Sequence, residues 1–139
     1  MENIERLTRC ECLVMKVLWS SEEELCLSEI VKKAEDRYHR GWKSQTVSTF
    51  LARLTRKSYL QNYRKGRVYM YKVLISVNEY RGKLTDNYVD FWFNNHADEA
   101  IAAIISHRGL RDDEIKRLKQ CLSEPAYITG CYILQSQNI

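Results

Sequence analysis

The residues best suited to chemistry lie between Trp42 and Leu54, in the stretch WKSQTVSTFLARL. Val47, Phe50, Leu51 and Leu54 recur at i, i+3, i+4 and i+7, the spacing that places them on one stripe of an α-helix. The other side of that helix carries Lys43, Ser44, Gln45, Thr46, Ser48, Thr49 and Arg53, which are hydroxyls, an amide and cations without a carboxylate. An ordinary surface helix mixes both charge signs. This set suits phosphate oxygens and base edges. A second cationic feature follows at Lys65-Gly66-Arg67, flanked by Leu60-Gln61-Asn62-Tyr63-Arg64 and Val68-Tyr69-Met70-Tyr71-Lys72-Val73. Both flanks are rich in aromatic and β-branched residues with a period of two, so a hairpin with a charged tip is expected.

Charge is distributed to match. From Arg37 to Asn78 there are ten Lys or Arg (37, 40, 43, 53, 56, 57, 64, 65, 67 and 72) and no Asp or Glu over 42 residues. The chain has 22 basic and 18 acidic residues in all, so the flanks hold 22 − 10 = 12 bases against all 18 acids, a net of −6. A +10 block beside acidic flanks suits a polyanion partner better than it suits solubility alone. The competing account is a basic face arising by chance.

These groups need elements to hold them. Thr8 and Glu11 have capping-box spacing, and Leu13, Val14, Val17 and Leu18 give a first helical stripe ending near Trp19. An acidic loop, Ser20 to Glu24, leads through Leu25 to Leu27 into a second helix, about Ser28 to His39, with Ile30, Val31 and Ala34 inward and Gly41 as its breaker. The third helix runs from about Ser44 to Lys57. Three helices followed by a hairpin are the order of a winged helix-turn-helix, in which the third helix enters the major groove and the hairpin, or wing, lies on backbone phosphates. Candidate phosphate contacts are Lys43, Ser44, Lys57, Arg64, Lys65, Arg67 and Tyr69.

Beyond Ser76 the basic bias ends. Three helical patterns follow: about Val77 to Asn94, with Tyr80, Leu84, Tyr88, Phe91 and Trp92; about Asp98 to Ser106, with Ile101, Ile104 and Ile105; and one from near Asp112, burying Ile115, Leu118 and Leu122. Acids open the last, as the helix dipole favours. These stripes cannot bury themselves, so pairing with an identical subunit is expected; the competing account is that they extend the N-terminal core. The expected fold is mainly α with a small β-hairpin: a winged-helix domain over residues 1–75, a helical dimerisation domain over 76–124, and a tail over 125–139 whose structure the sequence leaves open. The dimerisation set is Leu84, Tyr88, Phe91, Trp92, Ile101, Ile104, Ile115, Leu118 and Leu122.

Other constellations carry less. Hydrophobic residues make up 45% of the 139-residue chain and charged ones 29%, which reads as globular. No apolar run approaches the ~20 residues of a membrane span and the start lacks an apolar signal core, so no membrane insertion and a cytoplasmic location are expected. Five cysteines (Cys10, Cys12, Cys26, Cys121 and Cys131), an odd number without a secretory signal, argue against a disulfide framework. Cys10 and Cys12 form a C-x-C, but residues i and i+2 of a helix point apart and make no ready chelate. His39, His96 and His107 match no metal-ligand spacing. With no nucleophile elbow, phosphate-binding glycine loop or paired carboxylates, neither catalysis nor a cofactor is expected. Tyr63, Tyr69 and Tyr71 in the hairpin read as core and phosphate contacts rather than a stacking platform for single strands.

From about Leu7 to Leu122 the chain resembles the penicillinase and methicillin-resistance repressor family, which includes copper-responsive repressors. The resemblance rests on Glu11-Cys12-Leu13-Val14-Met15-Lys16-Val17-Leu18-Trp19, on Ser28-Glu29-Ile30, on the block Trp42 to Leu54, and on Gly66-Arg67-Val68-Tyr69-Met70-Tyr71. It implies a homodimeric repressor whose two winged-helix domains read the halves of a pseudo-palindromic duplex operator, controlling β-lactam resistance genes. By position, Gln45, Thr46, Ser48 and Thr49 match the operator-contacting residues; an amide at Gln45 suits adenine and a Thr methyl suits a thymine methyl. Several relatives carry Arg at the Ser48 position, and a hydroxyl there makes no bidentate contact to guanine, which leaves the operator sequence open. The resemblance also implies a membrane-bound sensor protease as partner. Its cut falls within the short helix, at the pair matching Ala103-Ile104. The copper-responsive relatives place paired C-x-C motifs near the C-terminus, where this chain has only Cys121 and Cys131. The alternatives are a winged-helix regulator answering to metal or redox through its cysteines, and a winged-helix module for protein–protein contact.

Overall fold

The computed structural model describes residues 4–123. The chain divides into two compact units between Val77 and Asn78. Expectations for the tail over 125–139, and for Cys131, lie outside the described residues.

The first unit holds α1 (Arg9–Trp19), β1 (Leu25–Cys26), α2 (Leu27–Tyr38), α3 (Ser44–Arg56), β2 (Leu60–Lys65) and β3 (Val68–Val73). The Thr8–Glu11 capping box is formed: the Glu11 amide donates to Thr8 Oγ1 at 3.3 Å and the Thr8 amide to Glu11 Oε1 at 3.0 Å. Two of the first turn's free donors are satisfied in this way. Helix α2 ends at Tyr38, one residue before the expected end, because His39 takes the left-handed conformation at φ 52° and serves as the C-cap. The Gly41 amide then donates to Glu35 Oε2 at 2.7 Å, tying the turn back to the helix.

The core of this unit is where the three helices converge. Val14, Met15, Val17 and Leu18 of α1 meet Ile30 and Ala34 of α2 and Val47, Leu51 and Leu54 of α3, all buried. Burying each large aliphatic side chain contributes about 1.5–3 kcal/mol. Val31 and Phe50, expected inward, are half-buried; the Phe50 ring packs edge-on against Trp42, with centroids 5.2 Å apart. Trp42 therefore closes the end of the bundle beside the α2–α3 turn.

The hairpin forms in register, Leu60 opposite Val73 through Lys65 opposite Val68, which leaves Gly66-Arg67 as a two-residue loop. Gly66 has φ +65° while Arg67 is not among the positive-φ residues, the type II′ pattern in which glycine at the first loop position avoids a Cβ clash. The sheet has three strands rather than two. Leu25 pairs with Tyr71 and Cys26 with Met70, giving the order β1-β3-β2. Two residues are too short to display a period, so nothing in the pattern marks β1 as a strand. Directly opposed residues share a face. Leu60, Asn62, Arg64, Tyr69, Tyr71 and Leu25 thus lie on the core side, and Tyr63, Lys65, Val68 and Met70 on the outer side.

The second unit holds α4 (Val77–Phe93), α5 (Ala97–His107) and α6 (Asp112–Ser123). Each begins with acids in its first turn: Glu79; Asp98 and Glu99; Asp112, Asp113 and Glu114. Large apolar side chains stay in solvent, with Phe91 74% and Trp92 64% exposed and Leu84, Tyr88, Ile101, Ile104 and Ile105 also open. The α6 stripe expected at a subunit interface lies largely open in the single chain. Cys121 is the buried residue, whereas Leu118 is half-buried, Ile115 is exposed and Leu122 is 72% exposed. One helical position turns a side chain by ~100°, so a helix that faces Cys121 inward turns Leu122 away.

Candidate nucleic-acid interface

The exposed face of α3 is built from its first turn onward. Lys43 is the N-cap but supplies no side-chain hydrogen bond, and α3 has no acid in its first turn, whereas the other five helices of the described residues each have one. The positive end of the α3 dipole and its free amide donors therefore remain open to an external anion. Gln45, Thr46 and Thr49 are exposed and Ser48 half-buried, while Lys43 and Ser44 are exposed beside them. The Thr49 hydroxyl donates to the Gln45 carbonyl at 3.0 Å. Its proton is thus held within the helix, leaving a methyl and an oxygen lone pair outward.

Two cations further along α3 share this face, Arg53 as expected and Arg56 in addition. At ~100° per residue, Thr49 and Arg56 fall within ~40° of Gln45 around the helix, and Arg53 lies beside Thr46. Arg53 and Arg56 are exposed and without ion pairs among the described residues. The i+11 spacing of Arg56 from Gln45 is the sequence signal that places it here. At the α2–α3 turn Arg40 rests over the Trp42 ring at 5.9 Å. Only packing reveals that contact.

In the wing, Arg64, Lys65, Arg67 and Tyr69 are all exposed. Arg64 sits over the Tyr69 ring at 6.0 Å and donates from Nε to the Gly66 carbonyl at 3.3 Å, which preorders its guanidinium on the core side of the hairpin. Lys65 lies on the outer side, one residue before the tip. Tyr71 is buried, and burial pushes its phenol up. The Tyr63 hydroxyl donates to Glu24 Oε2, tying the wing to the acidic loop; that bond raises the Tyr63 pKa. The three wing tyrosines therefore play three different parts.

Lys57 leaves the phosphate set. Its Nζ lies 2.9 Å from Glu11 Oε1 and also donates to the Arg6 carbonyl at 3.1 Å, with the lysine side chain 9% and the carboxylate side chain 0% exposed. A buried acid needs a compensating charge, and Glu11 takes this one. Burial alone would raise the Glu11 pKa, but the Lys57 bond together with the Thr8 bonds outweighs it and holds the carboxyl below its ordinary value.

The cysteines do not assemble. Cys10, Cys12 and Cys26 are half-buried, Cys121 is buried and all four are free; no group of three His, Cys, Asp or Glu with metal-holding geometry occurs among the described residues. Among the same residues no helix is long and apolar enough to cross a membrane. In the second unit, Ala103 and Ile104 lie within α5, half-buried and exposed respectively.

Three helices, a three-stranded sheet and a cationic wing define a winged-helix protein. The penicillinase repressor family model matches residues 7–124, and the chain belongs to that family. Its relatives include the penicillinase repressor of Bacillus licheniformis, 26% identical over 89% of this chain and 94% of that one. The methicillin resistance regulatory protein MecI of Mammaliicoccus sciuri is 20% identical over 85% and 94%. Among solved structures, the Bacillus licheniformis BlaI monomeric form in complex with the blaP half-operator is 30% identical, covering 58% of this chain and 94% of that one with a TM-score of 0.47.

Proposed function

We propose that this chain is a transcriptional repressor that binds a pseudo-palindromic duplex operator as a homodimer. The observation that carries the reading is the acid-free face of α3: an open helix N-terminus, hydroxyls and an amide on the first turns, and unpaired cations along its length and in the wing. Gln45, Thr46, Ser48 and Thr49 meet base edges in the major groove, where a good bidentate pair discriminates by ~1–3 kcal/mol. Lys43, Ser44, Arg64, Lys65, Arg67 and Tyr69 hold phosphates, joined by Arg53 and Arg56. Membership of the penicillinase repressor family supports repression as the output, and relatives named for penicillinase and methicillin resistance support β-lactam resistance genes as the target.

Residues 1–75 serve as the DNA-binding domain and 76–124 as the dimerisation domain. The exposed apolar set of α4, α5 and α6 supports the dimer, since side chains such as Phe91 and Trp92 have no cover within the described residues. Release proceeds by cleavage at Ala103-Ile104 by a sensor protease. Separating the helices of the dimer leaves each winged helix to bind its half-site alone and so removes the avidity.

Enrichment of duplexes from a random-sequence pool, followed by band-shift titration over a salt series, tests the DNA assignment. An inverted repeat should emerge, and affinity should fall steeply with salt. A chain that enriches nothing and binds random duplex with no salt dependence would be a protein-contact module instead.

A further inference from the structure

Among the described residues of the first unit, Glu11 is the charged residue that the fold buries completely. One oxygen accepts from Lys57 Nζ and from the Thr8 amide, while Oε2 has no partner among the described residues. Lys57 is the C-cap of α3, and its ammonium also binds the Arg6 carbonyl just before α1. The first turn of α1 and the last turn of α3 therefore meet at one carboxylate. The remaining core contacts of α3, through Val47, Leu51 and Leu54, are aliphatic and have no preferred direction. Apolar cores lose a unique arrangement before they lose stability. A buried ion pair is weak evidence for stability, because desolvation offsets its attraction, but it does fix a direction.

Resting on the assignment of α3 as the base-reading helix, we propose that the Glu11–Lys57 pair is a positioning device that sets the rotation of α3 and thereby which of its side chains meet base edges. The scale of the effect is geometric. Side-chain tips lie ~5–6 Å from a helix axis, so a turn of ~20° carries them ~2 Å sideways. That is about four times the ~0.5 Å width of the 2.7–3.2 Å range within which hydrogen bonds hold. The pair acts at the C-terminal end of α3, away from Gln45 and Thr46, and a rigid helix carries the constraint to them. The first unit thus spends one cation of its basic block on direction rather than on phosphate.

The test uses the full chain, the duplex enriched by the wild type and a scrambled duplex of the same length. Glu11→Leu/Lys57→Met removes both charges together, a change that is often neutral for stability. The melting temperature then reports any structural role and the ratio of the two affinities reports positioning. The expected result is a folded variant with unchanged affinity for scrambled duplex and a ratio lowered about tenfold or more, the scale of one lost base contact. Lys57→Arg alone, which keeps a cation opposite Glu11, should retain most of the wild-type ratio. A folded double variant with the wild-type ratio overturns the proposal. Should that variant fail to fold, Lys57→Ala carries the test by removing the tie from α3 to α1 while leaving the Thr8–Glu11 capping box: a lowered ratio supports the proposal and an unchanged ratio overturns it. A wild type that enriches no duplex overturns the DNA assignment and this role with it, whereas an unchanged ratio overturns the role alone.

Discussion

Removing Lys65 and Arg67 together should change how the protein responds to salt by an amount the structure specifies. Both side chains are exposed, neither has an ion pair among the described residues, and they flank the Gly66 turn at the tip of the wing. If each neutralises one phosphate, each contributes about 0.9 to the slope of log affinity against log salt. Their joint removal then lowers the slope by about 1.8 per protomer. Between 50 and 200 mM salt one contact is worth about 3.5-fold and two about 12-fold. Lys65→Ala/Arg67→Ala should therefore bind much more weakly than the wild type at low salt and approach it as salt rises, equally on enriched and random duplex. Fluorescence anisotropy over a salt series measures both slopes. Glu11→Leu/Lys57→Met provides the contrast, since the ammonium it removes is held inside the protein; its slope should equal that of the wild type. An unchanged slope in the wing variant, or an equally reduced one in the Lys57 variant, would refute the division of cations drawn above.

On the enriched duplex Gln45→Ala or Thr46→Ala should cost ~1–3 kcal/mol and on random duplex little, read from paired titrations. Leu84→Glu or Ile115→Lys should give a folded monomer by sedimentation with weakened operator binding, and a dimer formed by residues 1–75 alone would contradict the placement of the interface. Because the Glu11 pKa is held below its unfolded value, its contribution to stability is fully present above that unfolded value and is lost as pH falls through the folded one. Thermal melts from pH 6 down to pH 3 should fall more steeply for the wild type than for Glu11→Gln. After β-lactam exposure an immunoblot should show fragments cut between Ala103 and Ile104; intact protein alongside derepressed genes would exclude proteolytic release.

Periodicity and caps made most of the first unit legible before any coordinates. Thr8 with Glu11 located the start of α1, and the stripe of Val47, Leu51 and Leu54 located the buried side of α3, because both signals lie within a few residues of chain. Gly66 between two alternating runs located the hairpin for the same reason. What the sequence concealed depends on partners distant in the chain. Leu25 and Cys26 become a strand only because Tyr71 and Met70 lie alongside. Lys57 looked like the other nine cations of the basic block until folding brought it against Glu11, 46 residues away in the chain. Within one subunit α6 buries Cys121 rather than Leu122; both are apolar, and only packing chooses between them. For the interface itself, residue type separated cations from acids, but it did not tell an ammonium aimed outward from one consumed by the core.

The Trp19 indole donates from Nε1 to the Ile75 carbonyl at 2.9 Å, at the point where the chain leaves the wing. That bond fastens the exit to the end of α1, so the first unit ends in a clamped joint rather than a loose strap. If the chain binds paired half-sites as proposed, operators whose half-sites lie one base pair nearer or farther apart are accommodated by bending beyond Ile75. Cutting the Trp19 bond, as Trp19→Phe would do, lengthens the slack on the winged-helix side. The cost would appear as a blurred preference for half-site spacing, with the sequence preferred within each half-site left as it was.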